Sequence, residues 1–179
     1  REYGSEIEVV EPIWTNPFEL MSPERAASRD GPVDNLEVID IAYNRVSDQI
    51  VALVYVRSPK QRKEDARLEA YRSDGVGGSV KWDLPDDQTT GFTLNPYVDL
   101  TTGPDGLIYA LDDFTDVARA LADDGRAIGA VSVPPDTVRI AGGPAATLFA
   151  LREPGYVERI AADGTVTGRF DGRPSDSAD

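Results

Sequence analysis

Short apolar runs recur from residue 37 to residue 170, and Gly, Pro and Asp residues separate them. Within these runs the apolar residues either alternate with polar ones or form continuous blocks, as at residues 107–111. Neither arrangement has the period of about 3.6 residues that an amphipathic helix requires, and turn residues return about every 8–12 positions. The pattern therefore predicts an all-β chain of short strands.

The strand pattern repeats at an offset of 40 residues, because residues 98–111 align with residues 138–151. Both copies contain a Gly-Pro turn and end on an aromatic residue followed by Ala-Leu, with Tyr109 aligned to Phe149. A period of about 40 residues with four short strands per copy is typical of a β-propeller blade. The strands at Leu107–Leu111 and Thr147–Leu151 are predicted to be the central buried strands of equivalent units, with Tyr109 and Phe149 in equivalent core sites.

The predicted architecture is an arc of about three antiparallel, four-stranded blades with an irregular N-terminal arm. The propeller-like domain is expected over residues 37–170, in units at about 37–86, 97–132 and 136–170. Residues 1–36 do not match the repeat and form the arm, in which Pro23 begins a short helical stretch. Residues 171–179 contain almost no apolar side chains and are predicted to be a disordered tail.

The stretch Gly103 to Leu111, followed by an Asp-Gly turn, resembles a blade of the NHL and six-bladed lactonase-like (SMP-30-like) propellers. The resemblance covers roughly residues 37–170, and its motifs encode turns and buried strands. It implies that a divalent metal could lie on the central axis, held by carboxylate and amide groups. The near-axial candidates would be Asp40, Asn44, Asn95 and Asp99. A metal-dependent lactonase-like hydrolase, or a fragment of one, is therefore the alternative function.

Composition excludes several classes of function. The net charge is −14, which makes nucleic-acid binding unfavourable. The chain has no Cys and no His, so thiolate chemistry and the most common general base are missing. A second acidic group could hold a hard cation or could simply be solvated turns, and it comprises Asp99, Asp105, Asp112, Asp113 and Asp116. No cofactor is expected, and the chain is more consistent with a protein that is not an enzyme.

Two stretches are candidates for binding another protein. The arm carries more large apolar side chains than a solvated tail would, among them Trp14, Phe18 and Leu20. An insertion at residues 57–67 is the one cation-rich stretch, with Arg57, Lys60, Arg62, Lys63 and Arg67. The arm could instead cover its own sheet, and the insertion could be a charged hairpin tip that keeps a strand edge soluble.

Three units do not close a propeller, and stacked repeats need their ends covered. The sequence therefore predicts a non-catalytic interaction module, an extrinsic structural subunit of a larger complex that could be attached to a membrane. No apolar run approaches the roughly 20 residues of a membrane helix, so membrane association would be peripheral. The chain begins at Arg1 rather than Met, which suggests that a signal peptide or an anchor lies upstream, and we expect a periplasmic or cell-surface location.

Overall fold

The computed structural model describes residues 35–58, 63–76, 79–84, 97–153 and 155–171. These residues form twelve strands: β1 Asn35–Asn44, β2 Gln49–Ser58, β3 Lys63–Arg72, β4 Val80–Asp83, β5 Tyr97–Thr102, β6 Ile108–Asp112, β7 Val117–Leu121, β8 Ala127–Ser132, β9 Thr137–Gly142, β10 Leu148–Arg152, β11 Tyr156–Ile160 and β12 Val166–Asp171. No part of the described chain forms a helix that is long and apolar enough to cross a membrane.

The strands form three antiparallel sheets, each built from four strands that follow one another in the sequence. Sheet 1 contains β1–β4, sheet 2 contains β5–β8 and sheet 3 contains β9–β12. Short turns connect the strands, and left-handed backbone occurs at Asp48, Asp116 and Gly125 among others. The predicted fold class is confirmed: the described chain is an all-β partial propeller of three four-stranded units.

Two apolar layers hold the sheets together. The layer between sheets 1 and 2 includes Leu53, Leu68, Trp82, Leu100 and Ile108. The layer between sheets 2 and 3 includes Tyr109, Leu111, Val131, Ile140, Leu148 and Ile160. Since sheet 2 is covered on both sides, every residue of β6 is buried. This explains the continuous apolar block in the sequence there.

The predicted burial of residues 147–151 is correct for Thr147, Leu148 and Ala150 but wrong for the other side of the strand. Tyr109 is almost completely buried, but Phe149 at the equivalent position is only partly buried. Leu151 is exposed, although its equivalent Leu111 is not. The strands are equivalent as predicted, but sheet 3 has a neighbouring sheet on one side only among the described residues. A repeat in the sequence predicts which residues face a neighbouring sheet, not whether that sheet is present.

The predicted insertion at residues 57–67 is also corrected, because most of it belongs to strands. β2 continues to Ser58 and β3 begins at Lys63, and these two residues pair across the hairpin. Backbone pairing thus continues beyond the apolar part of both strands. Asp171 belongs to β12 rather than to a tail. The helical stretch predicted near Pro23 and the rest of the tail, 172–179, lie outside the described residues.

Candidate functional site

Each sheet has one cross-strand row of side chains on its C-terminal side. This row faces sheet 2 in sheet 1, faces sheet 3 in sheet 2, and faces away from sheet 2 in sheet 3. The strand register defines row 1 as Asp40, Leu53, Leu68 and Trp82. It defines row 2 as Asp99, Leu111, Ala118 and Val131. It defines row 3 as Arg139, Leu151, Val157 and Phe170. The three rows occupy equivalent positions in three consecutive units.

Exposure separates row 3 from the other two rows. Leu53 and Trp82 in row 1 are 0% and 9% exposed, and Leu111 and Val131 in row 2 are 1% and 6% exposed. In row 3, Leu151 is 38% exposed and Phe170 is 55% exposed. Rows 1 and 2 each lie under the following sheet, whereas no sheet formed by the described residues covers row 3. Sheet 3 therefore presents a surface that elsewhere in this chain is a packed interface.

We call the side of sheet 3 that faces away from sheet 2 the open face. The strand register places eight residues on it: Arg139, Ala141, Phe149, Leu151, Val157, Arg159, Gly168 and Phe170. Two of these residues are arginines and none is acidic, in a chain whose net charge is −14. The exposed side chain of Arg159 has no acidic partner among the described residues. The open face is therefore apolar and weakly cationic.

Carboxylates at the start of rows 1 and 2 join consecutive sheets. Asp40 Oδ2 accepts a hydrogen bond of 3.0 Å from the Leu100 N–H in sheet 2. Asp99 Oδ2 accepts one of 2.6 Å from the Ile140 N–H in sheet 3. A register shift precedes each aspartate on its inner strand. The same connection thus occurs twice, one repeat apart.

Row 3 begins with a cation where rows 1 and 2 have a carboxylate. The Nη1 atom of Arg139 donates to Asp99 Oδ1 at 2.6 Å and lies 3.7 Å from Asp40 Oδ2. The Asp99 carboxylate holds the pKa of Arg139 above its ordinary value. Arg139 therefore compensates the two carboxylates and cannot itself accept an N–H from a further sheet.

The axial residues do not fit a divalent metal. Arg139 places a fixed positive charge where a metal would approach Asp40 and Asp99. The amide of Asn44 is buried, with Nδ2 donating to the Gly106 carbonyl and Oδ1 accepting from Val46 N. The fourth candidate, Asn95, lies outside the described residues. Within the described ranges, no group of three or more Asp, Glu, His or Cys residues could hold a metal ion.

Two members of the other predicted acidic group, Asp105 and Asp112, accept hydrogen bonds within turns. Asp112 Oδ1 accepts backbone hydrogen bonds from Phe114 and Thr115, each 3.1 Å long. In other turns, acidic side chains accept the N–H two residues later, as seen at Asp74, Asp105, Asp124 and Asp163. Aspartate is favoured in turns because its side chain can satisfy a backbone donor in this way. Part of the acidic composition is therefore explained by the number of turns.

Burial raises the pKa of Asp99 above its ordinary value of 3.8, and the nearby Asp40 carboxylate adds to the rise, although the Ile140 N–H and Arg139 oppose it. A raised pKa in the folded state gives stability that is present below about 3.8 and is lost as the pH rises through the folded value. We therefore expect the stability of the wild type, relative to Asp99→Asn, to fall as the pH rises from below 3.8 towards neutrality.

Urea unfolding of both proteins across this pH range measures the difference, with Asp113→Asn in an exposed turn as the control. Curves for wild type and Asp99→Asn that remain parallel at every pH would contradict the expectation. The control should follow the wild type throughout, because Asp113 is exposed.

Most of the residues predicted to bind a partner lie outside the residues that the structure describes. Trp14, Phe18, Leu20, Lys60 and Arg62 are not among the described residues. Arg57 and Lys63 lie near the hairpin end of β2 and β3, where Arg57 pairs with Glu64 in the backbone register. Arg67 is part-buried, and its Nε donates to Glu69 Oε1 at 2.7 Å. Its charge is thus already compensated within sheet 1.

Sequence reasoning missed Arg139 and the exposed members of row 3. The signal for Arg139 was available, because the repeat aligns it with Asp99. An arginine in place of an aspartate at a repeated position marks a unit whose connection to the next unit must differ. The sequence gives no indication that Leu151 and Phe170 are exposed, because the residues at the equivalent positions of the other two units are also apolar and are buried.

No known protein family matches the chain, and no curated protein matches it. Among solved structures, virginiamycin B lyase from Staphylococcus aureus is 15% identical, with a TM-score of 0.47 over 80% of this chain and 43% of its own. A calcium-binding protein, regucalcin, from Agrobacterium tumefaciens is 13% identical, with a TM-score of 0.48 over 76% of this chain and 44% of its own. A protein of unknown function from Bacteroides caccae is 9% identical, with a TM-score of 0.46 over 79% of this chain and 64% of its own.

The chain therefore spans less than half the length of the lyase and of regucalcin. Identities this low concern the fold alone. The partial propeller itself is shown by the three sheets and by their repeated registers.

Proposed function

We propose that the protein is a non-catalytic interaction module and serves as an extrinsic structural subunit of a larger protein assembly. The observation that carries this proposal is the open face. Its Leu151 and Phe170 are exposed although the equivalent side chains in the two preceding units are buried under a neighbouring sheet. A contiguous exposed apolar surface of this kind is typical of protein interaction sites.

In rows 1 and 2, burial of aliphatic and aromatic side chains stabilises the contact between sheets by about 25 cal/mol for each Å² of apolar surface removed from water. Row 3 offers the same kind of side chains but remains in contact with water. A partner that covers row 3 would gain this stabilisation, as end units of stacked repeats generally require.

The absence of His and Cys from the sequence and the pairing of the axial carboxylates with Arg139 support a non-catalytic role. No observation in the described residues favours the alternative of a metal-dependent hydrolase. A calorimetric titration with Ca²⁺ and Zn²⁺ separates the two functions. A stoichiometric site for either ion would favour the hydrolase and contradict the non-catalytic module.

The mass of the native particle tests the proposal. One copy of the 179-residue sequence has a mass of 19.4 kDa. We expect sedimentation of the protein from the cells that make it, at low salt, to give a substantially larger particle. A stable particle with the mass of one chain would contradict the subunit role.

We propose that the N-terminal arm and the insertion at residues 57–67 supply further contacts to the partner. Reversing the charges with Arg62→Glu and Lys63→Glu should weaken assembly and make the remaining binding less sensitive to salt, because the attraction lost is electrostatic. Deleting residues 1–20 should weaken it further by removing apolar contact surface. Arg126→Glu, in an exposed turn of sheet 2, is the matched control. If both altered proteins assemble as the wild type does, neither stretch contributes contacts.

The periplasmic or cell-surface location remains a prediction of the sequence. Fractionation of the cells that make the protein tests it directly. Recovery of the protein with cytoplasmic markers would contradict it.

A further inference from the structure

The residue that connects one sheet to the next is a hydrogen-bond acceptor in sheets 1 and 2 but a donor on the open face of sheet 3. Asp40 and Asp99 each accept a backbone N–H from the following sheet. The equivalent residue of sheet 3 is Arg139, which has only donors. One of its nitrogens contacts Asp99, and the side chain is 60% exposed. A partner placed over sheet 3 therefore cannot donate a backbone N–H to this position, and any group of the partner that bonds to Arg139 has to be an acceptor.

The second arginine of the open face, Arg159, needs an anionic partner if it becomes buried. Arg159 is exposed and lies directly between Phe149 and Gly168 in the register of β10, β11 and β12. A sheet that covers Phe149 and Phe170 would also remove part of the Arg159 side chain from water. Burying a guanidinium without an anionic partner is strongly unfavourable, so the covering surface needs a carboxylate near Arg159.

These charges argue against a second copy of this chain as the partner. Two open faces placed against each other would bring four arginines together with no carboxylate from either face, since the register places no acidic residue there. The side of sheet 1 that faces away from sheet 2 is not a free alternative. Its Ala52, Val54 and Glu69 are almost completely buried.

We propose that the open face binds a β-sheet of a different polypeptide, which presents aliphatic side chains to Leu151 and Phe170 and a carboxylate to Arg159. This inference rests on the proposed function and specifies the partner's chemistry. The aliphatic contacts provide most of the stabilisation, as in rows 1 and 2. The ion pair at Arg159 fixes the orientation of the partner and excludes sheets without acidic residues.

The first experiment identifies what lies against the open face. Phe170, 55% exposed, is replaced with the photoreactive benzoylphenylalanine in the full chain, expressed in the cells that make the protein. The control is the same replacement at Ile128, which is 51% exposed on the outer strand of sheet 2. After irradiation, peptide mass spectrometry identifies the cross-linked segment. We expect position 170 to cross-link to one segment of another polypeptide that contains aliphatic residues and Asp or Glu, and position 128 not to do so.

The second experiment tests the ion pair by a charge swap. Arg159→Glu should weaken binding of the cross-linked polypeptide at least about tenfold, and changing its facing carboxylate to Lys should restore binding. Arg126→Glu is the control and should bind as the wild type does. Urea unfolding of Arg159→Glu should match the wild type, because Arg159 is exposed and has no ion pair among the described residues.

The outcomes separate this inference from the proposed function. Cross-linking from position 170 to a second copy of the chain, or to a segment without acidic residues, overturns the inference but leaves the interaction module. A large native particle without cross-links at position 170 also overturns the inference and leaves the interaction module, because the contacts would then lie elsewhere. No cross-link together with a native particle that contains a single polypeptide overturns both. Cross-linking to an acidic segment without rescue by the charge swap overturns the assigned ion pair.

Discussion

Leu111→Ala is expected to lower the free energy of unfolding by about 2–5 kcal/mol, whereas Leu151→Ala should lower it by about 1 kcal/mol or less. The two leucines occupy equivalent places in consecutive repeats and undergo the same chemical change. Leu111 lies in the apolar layer between sheets 2 and 3, so its truncation leaves a cavity. Leu151 is 38% exposed, so water fills the space left by its side chain.

Urea unfolding of the isolated chain and of the two variants provides the measurement, with comparison at unchanged m-value. The pair controls for residue type, strand position and backbone environment. Equal losses of stability would mean that sheet 3 is covered in the isolated chain, and the open face would not exist. In the native assembly the two losses should become more similar, because a partner would bury Leu151.

Gly142→Ala is expected to destabilise the protein by about 1–3 kcal/mol or more. Gly142 ends the inner strand of sheet 3 where this strand passes close to the inner strand of sheet 2. A Cβ atom at Gly142 would lie 2.5 Å from the Thr102 carbonyl oxygen and 2.7 Å from the Gly103 nitrogen. These are backbone atoms, so no side-chain rotation relieves the contact, and sheets 2 and 3 would have to separate locally.

Gly129→Ala is the matched control, because nothing lies within 4 Å of a Cβ atom at that position in β8. The control should be neutral or stabilising by about 0.4–1 kcal/mol, since alanine restricts the unfolded chain more than glycine does. Chemical denaturation of both variants gives the comparison. If Gly142→Ala proves as stable as Gly129→Ala, the close approach of the two inner strands is incorrect.

The sequence predicted the strands of the second and third units well because turn chemistry and burial both repeat there. Gly103-Pro104 and Gly143-Pro144 mark the same turn in both units. The apolar block of β6 correctly indicated a strand covered on both sides. In the first unit, charged residues hid the ends of β2 and β3, since a hairpin can extend beyond its apolar part without a change in backbone pairing.

The site was less predictable, for a physical reason. Whether Leu151 is buried depends on the presence of another sheet, and residue type carries no information about that. The sequence predicts Asp40 and Asp99 as axial acidic residues, but their hydrogen bonds to Leu100 and Ile140 depend on the stacking of whole sheets. The pairing with Arg139 reverses their expected chemistry, from metal ligands to partners of a guanidinium.

Hydroxyl-radical footprinting tests the central claim most directly, when the native particle and the isolated chain are compared at single-residue resolution. We expect Phe170 and Leu151 to be oxidised readily in the isolated chain and to be protected in the native particle. Tyr109 and Leu111 should be protected in both, because sheet 3 covers them. Equal oxidation of Phe170 and Leu151 in the two samples would contradict the claim that the open face binds a partner.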